Sequence, residues 1–98
     1  MSLDGSEPLD AARARRVVRQ IVDRGRIAFS RHARQEMARD EITFAAVLGV
    51  LRAGILEPAE FREGSWRYRV RGRDGAVVVV ALRSEEELVI VTAWRAGS

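Results

Sequence analysis

Three arginines spaced two residues apart, Arg67, Arg69 and Arg71, are the side chains of this sequence best suited to binding chemistry. Successive side chains of a β-strand point to opposite faces, so this arginine row shares one face while Tyr68 and Val70 share the other. A guanidinium group offers two parallel hydrogen bonds to a phosphate or a carboxylate and stays charged in any surroundings. The spacing therefore predicts a surface for phosphate groups or for an acidic partner segment.

The amino-acid composition limits the kinds of catalytic or metal site that the chain can form. The 98 residues include no cysteine and one histidine, which excludes thiol nucleophiles and cysteine-ligated zinc and makes a transition-metal site an unfavoured interpretation. We therefore expect no metal and no cofactor. All seventeen basic residues are arginine, and the net charge is +3. A GC-rich genome would produce the same lack of lysine, so the placement of the arginines is more informative than their number.

The one histidine, His32, lies just after Ser30, a residue type that begins helices, and four residues before Glu36. Side chains four residues apart are neighbours on a helix surface, so His32 and Glu36 are expected to form a pair. Two interpretations remain open at this point. His32 either packs and bonds local backbone, or it acts as an acid/base group or phosphate ligand at the rim of the sheet.

Helix signals fill the first half of the chain. Apolar residues at helical spacing, with capping residues at their ends, predict helices over residues 10–25, 30–39 and 43–54. The polar side of the first helix is rich in arginine, which we interpret as a solvated surface that could widen an electrostatic footprint. Its arginines are Arg13, Arg15, Arg16, Arg19 and Arg24.

Strand signals fill the second half. Residues 55–62 are expected to form an edge strand, because Pro58 cannot donate to a central ladder. The apolar run 76–82 is expected to be a central strand with both faces covered, joined to the arginine strand by a type I′ turn at Asp74-Gly75. Residues 88–94 form the last predicted strand. The segment Arg26 to Phe29 is expected to be an extended connector between the first two helices.

These elements predict an α+β fold, with three helices followed by a four-stranded antiparallel sheet. We expect residues 1–8 to be a disordered leader and residues 9–98 to form a single domain. No apolar run reaches the length of a membrane span, and the first residues lack the pattern of a secretory signal. The sequence thus predicts a soluble cytoplasmic protein with no membrane partner.

A series of short motifs adds a family resemblance. The phrase S-x-H-A-x-x-x-M at residues 30–37 is followed by an Ile-Thr helix start, Gly-Ile-Leu-Glu, Tyr-Arg-Val-x-Gly, a valine-rich strand and Val-Ile-Val-Thr. In this order, over residues 21–95, the motifs resemble the RelE/ParE-like toxin superfamily and are similar to its BrnT and MqsR types. The resemblance implies a RelE-like α+β fold. For many relatives it also implies a metal-independent ribonuclease (mRNA interferase) of a type II toxin-antitoxin pair, with RNA and a cognate antitoxin protein as partners.

The chain departs from that pattern at three places. Glu36 stands where many relatives carry arginine, Asp40-Glu41 stands where they carry Arg-Gly, and Trp94 stands where the last strand often ends in tyrosine. An indole cannot take over acid–base work from a tyrosine, because its N–H only donates. Any catalysis here would need other residues.

Metal-free RNA cleavage requires a proton acceptor for the 2′-hydroxyl, a proton donor for the leaving oxygen and positive charge near the phosphorus. His32 or Glu36 would accept the proton, Arg83 or Arg95 would stabilise the transition state, and the arginine row would hold phosphates. Trp94 would stack a base if it is exposed, and would otherwise pack in the core or against a partner. Two other functions stay open, namely a binding module without catalysis and a structural domain whose arginines only keep it soluble.

Overall fold

The computed structural model describes residues 8–95 and has the α+β class with three helices that the sequence predicts. The elements in chain order are α1 (Ala11–Arg24), β1 (Arg26–Phe29), α2 (Arg31–Arg39), α3 (Phe44–Ala53), β2 (Ile55–Leu56), β3 (Glu60–Arg62), β4 (Ser65–Arg71), β5 (Ala76–Leu82) and β6 (Glu87–Arg95). The predicted leader lies outside the described residues, apart from Pro8. No helix formed by residues 8–95 is both long and apolar enough to span a bilayer.

Polar side chains begin the three helices at the predicted positions. Asp10 Oδ1 accepts a hydrogen bond from Arg13 N at 2.8 Å, and Ser30 Oγ accepts one from Ala33 N at 2.9 Å. Thr43 begins α3 in the same way. Each of these bonds satisfies an N–H group that has no partner inside the helix, which typically contributes about 1 kcal/mol. The predicted helix starts are confirmed.

The end of α2 is unusual because a glutamate adopts the left-handed backbone conformation. Glu41 has φ 55°, and the next residue, Ile42, donates its N–H to Met37 O at 2.8 Å. This bond pattern is the Schellman motif, which glycine normally completes because it has no Cβ to crowd the backbone. The helix α2 therefore ends in a common motif, but with glutamate at the position that glycine usually occupies.

The strands form one mixed sheet in the order β1-β6-β5-β4-β2, and β3 also pairs with β4. β5 lies at the centre of the sheet, as its apolar run predicts. β1 runs parallel to β6, whereas the other strand pairs are antiparallel. The predicted arrangement, with all helices first and then four antiparallel strands, is therefore wrong in its details. Residues 8–95 form six strands, and one of them lies between α1 and α2.

The missed strand is the segment expected to be a connector. Its register joins Arg26 to Glu87 and Phe29 to Ile90, at the edge of the sheet. Parallel partners need no shared turn and lie far apart in the chain, so no local pattern marks the pairing. The predicted edge strand over residues 55–62 is instead two short strands, β2 and β3, that both pair with β4 on either side of Pro58.

The hairpin turn between β4 and β5 differs from the prediction in its backbone conformation. At the β4–β5 turn only Gly75 has a positive φ, of 88°, and Gly72 N donates to Ala76 O at 2.8 Å across a three-residue loop. The predicted type I′ turn at Asp74-Gly75 is therefore wrong. Two consecutive positive φ angles occur instead at Glu63 (48°) and Gly64 (82°), in the two-residue β3–β4 turn.

The core lies between the sheet and the two helices α1 and α3, which pack on one face of it. Tyr68 belongs to this core, as strand alternation predicts, and is 2% exposed. Its hydroxyl accepts from Leu9 N at 2.8 Å and donates to Leu9 O, and burial raises the pKa of Tyr68. The other face of the sheet, here the open face, leaves Val79 and Ala81 only half-buried. Both faces of β5 were expected to be covered. The face toward the helices is fully buried, whereas the open face is covered only in part.

Candidate functional site

The arginine row lies on the open face of the sheet. Arg69 pairs across the sheet with Val79, and Val79 in turn pairs with Thr92 on β6. Directly paired residues of neighbouring strands share a face, so the row, the middle of β5 and Thr92 form one surface. Trp94 is half-buried on the same surface, and the guanidinium carbon of Arg69 lies 5.9 Å from the centre of its ring. This contact joins the predicted base-stacking residue to the predicted phosphate ligands.

A shallow cleft of about 230 Å³ opens between these side chains. Its floor is Val79, which leaves an apolar strip between charged walls. The residues that line it are Glu60, Arg62, Arg67, Arg69, Val79, Thr92 and Trp94. An aromatic ring, guanidinium groups and an apolar floor together suit a flat ring that carries an anionic group.

Each arginine of the row faces a carboxylate from the neighbouring edge of the sheet. The pairs, with their N···O distances, are Arg67–Glu63 at 3.2 Å, Arg69–Glu60 at 4.0 Å and Arg71–Glu57 at 3.0 Å. We call these three glutamates the glutamate ladder. Their side chains are 82%, 50% and 30% exposed, respectively. The row is therefore a set of partly exposed ion pairs rather than a set of free cations.

On the other side of the cleft, α2 lies along β6 where β1 ends. Glu36 Oε1 accepts hydrogen bonds from Ala93 N at 3.1 Å and from the hydroxyl of Thr92, and Asp40 Oδ2 accepts one from Arg95 N at 3.1 Å. Residues four apart on a helix are about 6 Å apart along its axis, and residues two apart on a strand are about 6.7 Å apart. Because these two spacings are similar, two carboxylates on one face of α2 can each accept a hydrogen bond from a backbone N–H group at the edge of β6.

His32 contacts Glu36 from the solvent side of α2. Its Nε2 lies 3.3 Å from Glu36 Oε1, and its side chain is 67% exposed, whereas that of Glu36 is 13% exposed. Arg39 approaches the second carboxylate oxygen of Glu36 at 3.8 Å. Because Glu36 also holds Thr92, a wall of the cleft, His32 is two contacts away from the cleft. The structure thus brings His32 and Glu36 together at the side of the open face.

The other two predicted catalytic residues do not lie at the cleft. Arg95 pairs with Ala76, a core residue, so its side chain belongs to the helix side of the sheet, where Nη1 lies 2.7 Å from Asp74 Oδ2. This contact is the main reason why the pKa of Asp74 is lowered. Arg83 is exposed in the β5–β6 turn, four residues beyond Val79 or about 13 Å along the strand.

Sequence reasoning missed Thr92 and the glutamate ladder. Glu57, Glu60 and Glu63 recur every three residues just before the arginine strand, and this recurrence was a usable signal of an acidic edge beside it. Pairing each glutamate with its arginine needs the register, which depends on the break at Pro58 and on the two-residue turn. Within residues 8–95, no group of three or more histidine, aspartate or glutamate side chains is arranged to hold a metal ion.

Comparison with known proteins gives a family without an assigned activity. No curated protein and no solved structure matches the chain significantly. One family model matches residues 29–95, from the end of β1 to the end of β6, and it is described as a domain of unknown function, DUF4258. The matched region contains α2, the arginine row and Trp94, and it covers more than half of the chain. The chain belongs to the DUF4258 family.

Proposed function

We propose that this protein is a metal-independent endoribonuclease of the toxin type, which binds single-stranded RNA on the open face and is held inactive in the cell by an antitoxin protein. The observation that supports it best is the contact of His32 with Glu36, whose carboxylate also holds Thr92 at the cleft. An exposed imidazole beside a fixed carboxylate is a common general acid/base arrangement.

In this proposal Glu36 positions His32 and does not itself take the proton. Its carboxylate is largely buried and already accepts the N–H of Ala93 and the hydroxyl of Thr92. The imidazole of His32 is accessible to a substrate, and an imidazole nitrogen can accept a proton and return it. The carboxylate orients the imidazole and favours its charged form once a proton has been taken.

Cleavage would proceed by attack of a ribose 2′-oxygen on the adjacent phosphorus. The 2′-hydroxyl proton passes to His32, the new O–P bond forms, and the bond to the 5′-oxygen breaks as that oxygen takes a proton from water. Arg67 and Arg69 are the two arginines of the row that line the cleft, so the proposal assigns them the charge stabilisation first expected from Arg83 and Arg95. Trp94 stacks a neighbouring base.

A second candidate, a binding module without catalysis, is favoured by a different observation. All three arginines of the row already have carboxylate partners, as expected for a surface that exchanges one acidic partner for another. An antitoxin segment or an RNA strand would bind there without being cut. The two candidates agree on the surface and differ on His32.

Inducible expression in bacteria tests the choice between them. Growth and the integrity of total RNA are followed for wild type, His32→Gln and Gln35→Ala, the last being an exposed control on the same helix. We expect RNA degradation with wild type and Gln35→Ala. With purified protein, His32→Gln should reduce cleavage at least about 100-fold at an unchanged melting temperature. Binding of RNA without cleavage by wild type would support the second candidate, and equal cleavage by His32→Gln would make His32 a scaffold residue.

A further inference from the structure

We propose that the glutamate ladder occupies the phosphate positions of the arginine row, so that Glu57, Glu60 and Glu63 set how tightly the open face binds RNA. This inference rests on the proposed binding of RNA at that face. It assigns a function to three residues that would otherwise only neutralise their neighbours. RNA would bind by displacing carboxylates, one arginine at a time.

The geometry gives each arginine of the row one competing carboxylate, and Glu60 also pairs with Arg62, another cleft residue, at 3.7 Å. The glutamates come from three different backbone settings next to β4: Glu57 N donates to Arg69 O at 2.9 Å, Glu60 stands opposite Arg67 in β3, and Glu63 lies in the β3–β4 turn. The sheet therefore fixes their main chains beside the row. Their side chains remain partly or mostly exposed, so each carboxylate can leave its arginine without uncovering the core.

The energetics favour exchange over permanent pairing. Exposed ion pairs contribute little net free energy, because water screens the charges and two long side chains lose freedom. A phosphate can bind a guanidinium group through two parallel hydrogen bonds and thus displace a carboxylate held at 3.0 to 4.0 Å. The displaced carboxylate stays nearby and repels the phosphate. Each glutamate therefore weakens RNA binding without blocking it.

A charge-matched comparison tests the inference. The ladder variant carries Glu57→Gln, Glu60→Gln and Glu63→Gln. The control variant carries Asp23→Asn, Glu85→Gln and Glu86→Gln, three exposed acidic residues on α1 and the β5–β6 turn, so that the net charge changes equally. Binding of a 2′-O-methylated RNA oligonucleotide, which cannot be cleaved by 2′-oxygen attack, is measured by fluorescence anisotropy across a salt series.

We expect the ladder variant to bind the oligonucleotide at least about tenfold more tightly than the control variant near 0.1 M salt. The slope of log affinity against log salt should steepen by up to about 2, because in wild type each displaced carboxylate takes up a cation and offsets the release of about 0.7 that a phosphate contact gives on single strands. A second comparison starts from a variant that already carries Arg67→Gln, Arg69→Gln and Arg71→Gln. Adding the ladder substitutions to it should not raise the RNA affinity in this way, because the arginines with which the glutamates compete for phosphate are gone.

Three outcomes would overturn the inference, and they separate it from the proposed function. Equal affinity of the ladder and control variants, with wild type still binding RNA, would reject the inference alone. A gain that persists without the row arginines would reduce the ladder to a general charge effect. Failure of wild type and every variant to bind the oligonucleotide would reject both the RNA-binding function and this inference.

Discussion

Carboxylates stand on both sides of the open face, but they are held in different ways. On the α2 side, Glu36 and Asp40 accept backbone N–H groups of β6, and their side chains are 13% and 23% exposed. On the opposite side, the glutamate ladder is held by guanidinium groups, and its side chains are 30% to 82% exposed. The first set closes a strand edge, and the second set covers a row of arginines.

The difference separates the acidic residues that stabilise the fold from those that lie on the proposed binding surface. A carboxylate bonded to a strand amide cannot leave without exposing an unsatisfied N–H group. The pKa of Asp40 is lowered chiefly by the backbone N–H of Arg95, as expected for an acceptor that the main chain fixes. A carboxylate held by an exposed arginine can be exchanged for water or for a ligand. Substitutions on the α2 side should therefore change the stability of the fold, whereas substitutions in the glutamate ladder should change it little.

The largest expected effect is that of Glu36→Ala on stability. It removes the acceptor of Ala93 N and of the Thr92 hydroxyl, so the free energy of unfolding should fall by about 2 kcal/mol in urea titrations. Glu36→Gln is the matched control, because its amide oxygen can still accept both bonds, and it should lose less than half as much. Equal losses in the two variants would mean that charge, rather than closure of the β6 edge, makes Glu36 stabilising.

An effect of the opposite sign is expected at the end of α2, which carries Glu36 and Asp40 to their strand. Glu41→Gly should raise the free energy of unfolding by about 1 kcal/mol, because glycine adopts the positive φ of this position without steric cost. The same change in the middle of the helix, Gln35→Gly, should lower it by about 0.5 to 1 kcal/mol. A destabilised Glu41→Gly would show that the Glu41 side chain contributes more than its backbone conformation costs.

Substitutions in the glutamate ladder should be nearly neutral for stability. Glu57→Gln and Glu63→Gln each remove one partly exposed ion pair, and such pairs contribute about 0 to 1 kcal/mol. We expect changes below about 0.5 kcal/mol by urea denaturation, reduced further at 0.5 M salt. A loss as large as that of Glu36→Ala would contradict the distinction between the two sides.

The smallest expected effect is a change in the pH dependence of stability when Asp40, on the α2 side, is replaced. Asp40 has a lowered pKa in the folded protein, so its bond to Arg95 N stabilises the fold at pH values above the ordinary carboxyl pKa near 3.8. That contribution is lost as the pH falls through the lowered value. Asp40→Asn should therefore flatten the decline of stability below about pH 4, measured by urea unfolding from pH 2.5 to 7. Asp23→Asn, an exposed change on α1, should leave the decline as it is in wild type.

Those parts of the fold that depend on neighbouring residues could be predicted from the sequence. The caps at Asp10, Ser30 and Thr43, the central apolar strand and the His32–Glu36 pair follow from spacings of a few residues. The parallel pairing of β1, the carboxylate contacts of α2 with β6 and the pairing of the ladder with the row could not be predicted. They join segments whose relative register is set only by the complete sheet.

The position of β6 has a consequence for the order in which the chain folds. β6 is the last strand of the described chain, yet it lies inside the sheet, between β1 and β5. Ser30 and Val91, which share a hydrogen bond across this pairing, are 61 positions apart in the sequence. A ribosome adds only about 5 to 20 residues per second, so β6 is synthesised several seconds after β1. During synthesis, α1 and α3 therefore emerge before β6, the strand that joins β1 to the rest of the sheet on which their apolar sides pack.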